Sequence, residues 1–178
     1  RMVFTMDTSV EDQDFMRTWP SGARTSPRML GYKCAVQNLS DINAMGARTR
    51  YLLVSLSFPG DIEETWPVEI AAGMRQACDE LDAQGVELIG GDVSAAESVA
   101  VSITAIGELG FDATPLVRSA AQPGDEVYVA GRVPGTSGSA LNELLSPRAD
   151  ANSASGSKHH RALAAHFMPA PPLAVGPA

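Results

Sequence analysis

The chain has 178 residues, a formal net charge of −8 and an apolar fraction of 44%. That length suits one ordinary domain, or one domain with a piece of another, and the apolar fraction suffices for a core. The acidic balance argues against nucleic acid or an anionic membrane as the main partner, because both require a basic face. Phosphate ligands stay open where divalent cations bridge the charge.

The elements follow in chain order. Met2 to Met6 reads as an apolar strand that ends at Asp7. Thr8 to Pro27 reads as a loop, acidic at first (Glu11, Asp12, Asp14), then Trp19-Pro20-Ser21-Gly22. Ser26-Pro27 is a helix start, with serine as N-cap and proline at the first helical position. The helix from Arg28 to about Gly46 carries an apolar stripe of Leu30, Cys34, Ala35, Leu39, Ile42 and Met45. Gly46 suits the left-handed residue that ends a helix. Asn38, Ser40 and Asp41 interrupt this helix. Aspartate is a poor helix former in such a position and costly if buried unpaired; the plain alternative is an exposed helix face.

Arg50 to Phe58 reads as a strand closed by a Pro59-Gly60 turn. Asp61 can cap a second helix, although Pro67 moves its start toward Trp66. That helix runs to about Gln84 and buries Ile70, Met74, Ala77, Cys78 and Leu81, with Gly85 as its breaker. Val86 to Ile89 is a short strand, and Ser98 to Leu109 a longer one with imperfect alternation. Pro123-Gly124-Asp125 is a turn before a strand at Glu126 to Gly131, and Ser139 to Leu145 starts a helix. Residues 146–158 are low in complexity and expected to be mobile, and His159 to Phe167 is one more helical segment. The back-to-back strands 86–90 and 98–109 favour a two-layer α+β sandwich over a doubly wound sheet. No apolar run approaches the roughly 20 residues a membrane helix needs. No signal peptide is visible. A chain that opens within a strand and closes on Pro-Ala-Pro-Pro-Leu-Ala-Val-Gly-Pro-Ala is expected to be part of something longer.

Cys34 and Cys78 fall on apolar helix faces and read as small buried hydrophobes rather than a disulfide, which fits a reducing cytosol. Asp7, Asp41 and Asp92, leaving separate elements at one end of a sheet, would make an oxygen-only site that selects Mg²⁺ or Mn²⁺ over zinc. Thr5 can add a hydroxyl. His159, His160 and His166 lie in or near the tail and read as solvated surface. Gly90-Gly91-Asp92 lets the backbone approach a phosphate, with the aspartate holding a metal on the same group; a plain turn is the alternative. Gly131 to Gly138 matches neither the P-loop nor the dinucleotide fingerprint and reads as a flexible connection. Arg118 is either a phosphate clamp or an exposed arginine.

Asp7-Thr8 after a strand, Gly31-Tyr32-Lys33 leading to Asn38-Leu39-Ser40-Asp41 and Ala44-Met45-Gly46-Ala47, and then Gly90-Gly91-Asp92 resemble the thiamine-monophosphate kinase family. Arg118-Ser119 before Pro123-Gly124-Asp125, and Pro169 to Gly176, also resemble its pattern. That family sits in the superfamily of aminoimidazole ribonucleotide synthetase, selenophosphate synthetase and a hydrogenase maturation factor. The resemblance implies a ferredoxin-like α+β N-terminal domain with a mostly antiparallel or mixed sheet and helices on one face. It divides the chain into an ATP- and Mg²⁺-binding domain over 1–145, then a flexible segment and the start of a second domain over 146–178.

The resemblance further implies phosphorylation of thiamine monophosphate to thiamine diphosphate by ATP, with several Mg²⁺ ions on the ATP phosphates. By similarity Thr5, Met6, Asp7, Asp41 and Asp92 are metal ligands. Gly91, Asp92 and Arg118 contact nucleotide, and Asp14 contacts substrate where the family often has histidine. Met6 departs from the small or hydroxyl residue usual there, which leaves only a backbone contact. The family's upstream Gly-Asp-Asp motif is not in this stretch. A homodimer packed through the sheet and a cytoplasmic location are also implied. Two alternatives are a relative in the superfamily acting on another substrate, and a non-catalytic nucleotide- or metal-binding module.

Overall fold

The structure, a computed structural model, describes residues 1–131, 135–147 and 156–176, the last without the side chains of 156–161. The elements are β1 (Met2–Val10), α1 (Pro27–Ala44), β2 (Arg48–Phe58), α2 (Trp66–Glu80), β3 (Glu87–Ala95), β4 (Ala100–Glu108), a 3₁₀ turn at Arg118–Ala120, α3 (Thr136–Leu145) and α4 (Gly156–Phe167). The strands form one mixed sheet in the order β1-β4-β2-β3. β4 is antiparallel to both β1 and β2, while β3 is parallel to β2. β1-α1-β2 is therefore a split β-α-β unit with β4 inserted between its strands. The fold is α+β, as expected.

Alternation decides which face of the sheet is buried. Val101, Ile103 and Ala105 of β4 and Leu52, Val54, Leu56 and Phe58 of β2 point to the helices and are buried. The opposite face carries Met2, Phe4 and Met6 of β1 with Tyr51 and Leu53 of β2, all exposed. α1 starts as predicted: the Ser26 hydroxyl accepts a hydrogen bond from the Met29 N–H at 3.2 Å, and Pro27 follows. Gly46 takes φ +78° just after the helix, again as predicted.

The single apolar stripe expected on α1 is too narrow. Tyr32, Val36 and Asn38 are buried beside Leu30, Cys34, Ala35, Leu39 and Ile42, because α1 lies between the sheet and α2 and is covered on two sides. The two helices cross at glycines. A Cβ on Gly31 would sit 2.0 Å from the Ile70 carbonyl oxygen, and one on Gly73 would sit 2.0 Å from that of Arg28. Only hydrogen at these positions lets the backbones touch.

Other boundaries also shift. β1 continues through Thr8, Ser9 and Val10, which pair with Ser102, Val101 and Ala100, so the polar residues after Asp7 belong to the strand. α2 starts at Trp66 but ends at Glu80 rather than near Gln84, with Asp82 at φ +56° beyond it. β3 is longer than expected and takes in Gly90, Gly91 and Asp92, held by parallel pairing to β2. Glu126 to Gly131 is not a strand. Val127, Tyr128 and Val129 are exposed, and without a partner ladder an alternating segment gains nothing from its pattern. α3 begins at Thr136, three residues before its predicted start. Part of the Gly131–Gly138 connection and most of the low-complexity stretch 146–158 lie outside the described residues. Among the described residues no helix is long and apolar enough to cross a membrane.

Candidate metal and nucleotide site

β1 and α1 face each other along a polar row. At one end the Thr5 hydroxyl donates to Asp41 Oδ2 at 2.8 Å. At the other, Ser9 is hydrogen-bonded to the Cys34 thiol. Thr5, Asp7 and Ser9 share one face of β1, and Cys34, Asn38 and Asp41 share one face of α1, so Asp7 and Asn38 occupy the middle of the row. Burial, and then the negative charge of Asp41, hold the Asp7 carboxyl above its ordinary value of 3.8. Asn38 is fully buried; its Nδ2 donates to the Cys34 carbonyl at 3.0 Å, while its Oδ1 has no partner. Burial pushes the Cys34 thiol up to about 11, which keeps it protonated and a poor metal ligand.

This row fits a hard divalent cation. Two carboxylates repel one another, an amide oxygen is unsatisfied, and a hydroxyl stands beside them. All are oxygen donors of the kind Mg²⁺ takes. Met6 could offer such an ion only its backbone, because its side chain points to the other face and is exposed.

Asp92 is not in this row. Paired residues in neighbouring strands share a face. The register Asp7–Ile103–Val54–Gly91 therefore runs along the helix side, while Thr8–Ser102–Ser55–Asp92 runs along the outer side. β4 and β2 separate β1 from β3, a lateral distance of roughly 14 Å. Asp92 Oδ2 accepts from the Ser94 hydroxyl at 2.7 Å instead. Among the described residues no group of three or more His, Cys, Asp or Glu side chains converges as a metal site. The structure thus brings Thr5, Asp7 and Asp41 together and leaves Asp92 at the far edge.

Gly91 has a packing reason of its own: a Cβ there would lie 2.1 Å from the Val54 carbonyl oxygen. Beside it, between α2 and β3, opens a mainly apolar cleft of about 390 Å³ that includes Val54, Ile70, Ala71, Met74, Gly91 and Asp92 in its lining. Sequence reasoning missed this cleft, since it depends on α2 leaving β3 uncovered. Asp14 sits in the turn after β1, its Oδ2 accepting from the Val10 N–H at 2.9 Å. It flanks the Cys34 end of the row, where its charge acts together with that of Asp7. Arg118 opens the exposed 3₁₀ turn beyond the sheet, outside the cleft lining.

His166 corrects the surface reading of the histidines. It is buried at 6% exposure, with Nε2 3.3 Å from Lys33 Nζ and Nδ1 3.2 Å from Ser137 Oγ. The side chains of His159 and His160 lie outside the described residues. Glu11, one of the acids read as opening that loop, is also buried. It ties the loop to β4 by accepting from the Val99 N–H at 3.1 Å and from Arg17.

Residues 1–109 match the family model described as "AIR synthase related protein, N-terminal domain", and the chain belongs to that family. It is 36% identical over 177 residues to the thiamine-monophosphate kinase of Bacillus subtilis (strain 168), covering 98% of this chain and 50% of the relative. The thiamine-monophosphate kinase structure from Stenotrophomonas maltophilia K279a superposes with a TM-score of 0.82 at 27% identity, over 99% of this chain and 52% of that one. A structure described as AaThiL complexed with AMPPCP and TMP superposes at 0.79 and 25% identity, over 97% and 50%. The chain spans about half the length of the kinases it matches.

Proposed function

We propose that this member of the AIR synthase related family forms the ATP- and metal-binding part of a thiamine-monophosphate kinase. The observation that carries the reading is the row between β1 and α1, where Thr5 bonds Asp41 and the carboxyl of Asp7 is held up by burial and by Asp41. That arrangement has a use if a divalent cation takes up the charge. Thr5, Asp7, Asp41 and the Met6 backbone would hold Mg²⁺, with Asp92 holding metal at the nucleotide. Gly91 and the backbone of Asp92 border the α2–β3 cleft, which has the size and apolar lining that small-molecule sites use, while the Asp92 carboxylate itself lies on the outer side of the sheet. Arg118 is proposed as a phosphate clamp and Asp14 as a substrate contact.

The reaction assigned is in-line transfer. A phosphate oxygen of thiamine monophosphate forms a bond to the γ-phosphorus of ATP, and the bond to the bridging oxygen breaks as ADP leaves. That oxygen is already ionised near neutral pH, since a phosphate monoester has its second pKa near ~6, so no general base is required. The bound cations would supply charge neutralisation between two polyanions. The residues of this chain fix where each polyanion rests. We further propose that two copies pack through the outer face of the sheet, where Phe4, Met6 and Leu53 lie exposed; two buried free thiols accord with a cytoplasmic location.

The test is a coupled ADP-release assay on the full-length gene product with ATP, Mg²⁺ and thiamine monophosphate. Turnover that requires thiamine monophosphate, and that is abolished in Asp41→Asn and Asp92→Asn through lost metal binding, is the expected result. Near-normal turnover of both variants at low Mg²⁺ overturns the assignment of the ligands. The separation of Asp92 from the β1–α1 row favours one second reading, a nucleotide- or metal-binding module without turnover. ATP binding by calorimetry with no ADP release on any phosphate acceptor would select it.

A further inference from the structure

His166 joins three parts of the molecule. It lies on α4, its Nδ1 meets Ser137 on α3, and its Nε2 meets Lys33 on α1. Its ring packs edge-on against Trp19, with centroids 5.7 Å apart and planes at 87°. Trp19 is itself buried, and its indole N–H donates to Thr25 at 2.9 Å. The loop around it also holds α3, through the Ser21 N–H to the Leu144 carbonyl at 3.0 Å. An ammonium has donors only. Lys33 therefore donates to Nε2, and Nδ1–H donates to the Ser137 hydroxyl, which requires the neutral imidazole.

We propose that His166 is a pH-sensitive latch: neutral, it bolts the α3–α4 pair onto α1, and protonated, it releases that pair. Protonation places an N–H on Nε2 against the Lys33 ammonium, two donors and two positive charges with no acceptor between them. Lys33 is the charge that faces the ring from α1. Asp14 lies behind Lys33 and offsets part of that charge, and the neighbouring Cys34 thiol stays protonated. From α3 the facing group is the neutral Ser137, and the one acid on that helix, Glu143, is six residues further along. Burial first, and Lys33 second, hold the His166 imidazole below its ordinary 6.5. The sign follows: docking is complete above about 6.5 and declines as the pH falls toward the lower value of the folded state.

Hydrogen exchange on the full chain between about pH 7.5 and about pH 5, corrected for intrinsic rates, tests the latch. The expected result is loss of protection in α3 and α4 on acidification, about tenfold for each unit separating the bound and free imidazole, while β4 and the middle of α1 stay protected. His166→Gln, which keeps a donor and an acceptor but no titration, is expected to dock at all these pH values. Lys33→Met is expected to move release to lower pH. An unchanged pH dependence in His166→Gln overturns the proposal. If that variant fails to fold, the wild-type NMR titration of the imidazole in contact with Trp19 decides: a value below 6.5 supports the latch, and one at or above 6.5 overturns it.

Discussion

Asp7 and Asp92 occupy opposite edges of one sheet, and their surroundings differ in kind. Asp7 faces α1, is held up by burial and Asp41, and lies in a row with a buried, unsatisfied amide oxygen. Asp92 faces outward and is satisfied by Ser94, one residue beyond its neighbour. The first carboxylate is under electrostatic stress before any ligand arrives; the second is at ease. A cation therefore relieves something at β1 and α1, whereas at β3 it would have to arrive with a ligand that brings negative charge of its own.

Substitutions probe how the two edges differ. The largest effect is expected from Gly73→Ala, which drives a Cβ against the Arg28 carbonyl and unseats α1 from α2. A loss of about 3 kcal/mol, read as a lower urea midpoint at unchanged slope, is expected, and the whole row is disturbed with it. Gly91→Ala meets a contact almost as short, but on an edge strand that can shift outward. A loss of about 1–2 kcal/mol is expected, with exchange of β3 amides rising while those of β1 hold. Third, Asp41→Asn is expected to weaken Mg²⁺ or Mn²⁺ binding about tenfold, some 1.4 kcal/mol, in calorimetry without nucleotide, and Asp92→Asn is expected to leave that binding unchanged. Equal losses in both would erase the distinction between the two regions.

The smallest effect concerns Asp7 alone. Its carboxyl is held above the ordinary 3.8, so the folded state keeps the proton more tightly than the unfolded one. The resulting stability is present below 3.8 and lost as pH rises through the folded value. Asp7→Asn is expected to abolish that decline and to melt roughly 1–2 °C higher than the parent without metal at neutral pH. Thermal melts across pH, with and without Mg²⁺, read this directly. With Mg²⁺ the order should reverse.

Much of the sheet side was legible from the sequence. Ser26-Pro27 fixed the start of α1, Gly46 its end, and the apolar alternation of β2 and β4 the buried face, because each is a local signal with a local cause. Asp41 stood out as an acid inside a helix and does meet Thr5. What failed depended on partners far along the chain. β3 reached through Asp92 only because β2 lies beside it. Glu126 to Gly131 kept its strand-like pattern without a strand, for want of a neighbour. The pairing of Gly31 with Gly73 needs a crossing that no single segment encodes. His166 looked like a tail histidine, and nothing in its sequence neighbourhood names Lys33 or Trp19 as its contacts.

The insertion of β4 between β1 and β2 also dictates an order of events during synthesis. Among the described residues β1 pairs only with β4, at residues roughly a hundred positions later in the chain. At typical elongation rates of about 5–20 residues per second, β1 waits roughly 5–20 s for its partner to leave the ribosome. Meanwhile Met2, Phe4 and Met6 travel on a strand with no ladder, and β2 with α2 and β3 can already assemble. β1 is thus placed late, and the carboxylate row it carries closes only when the sheet does.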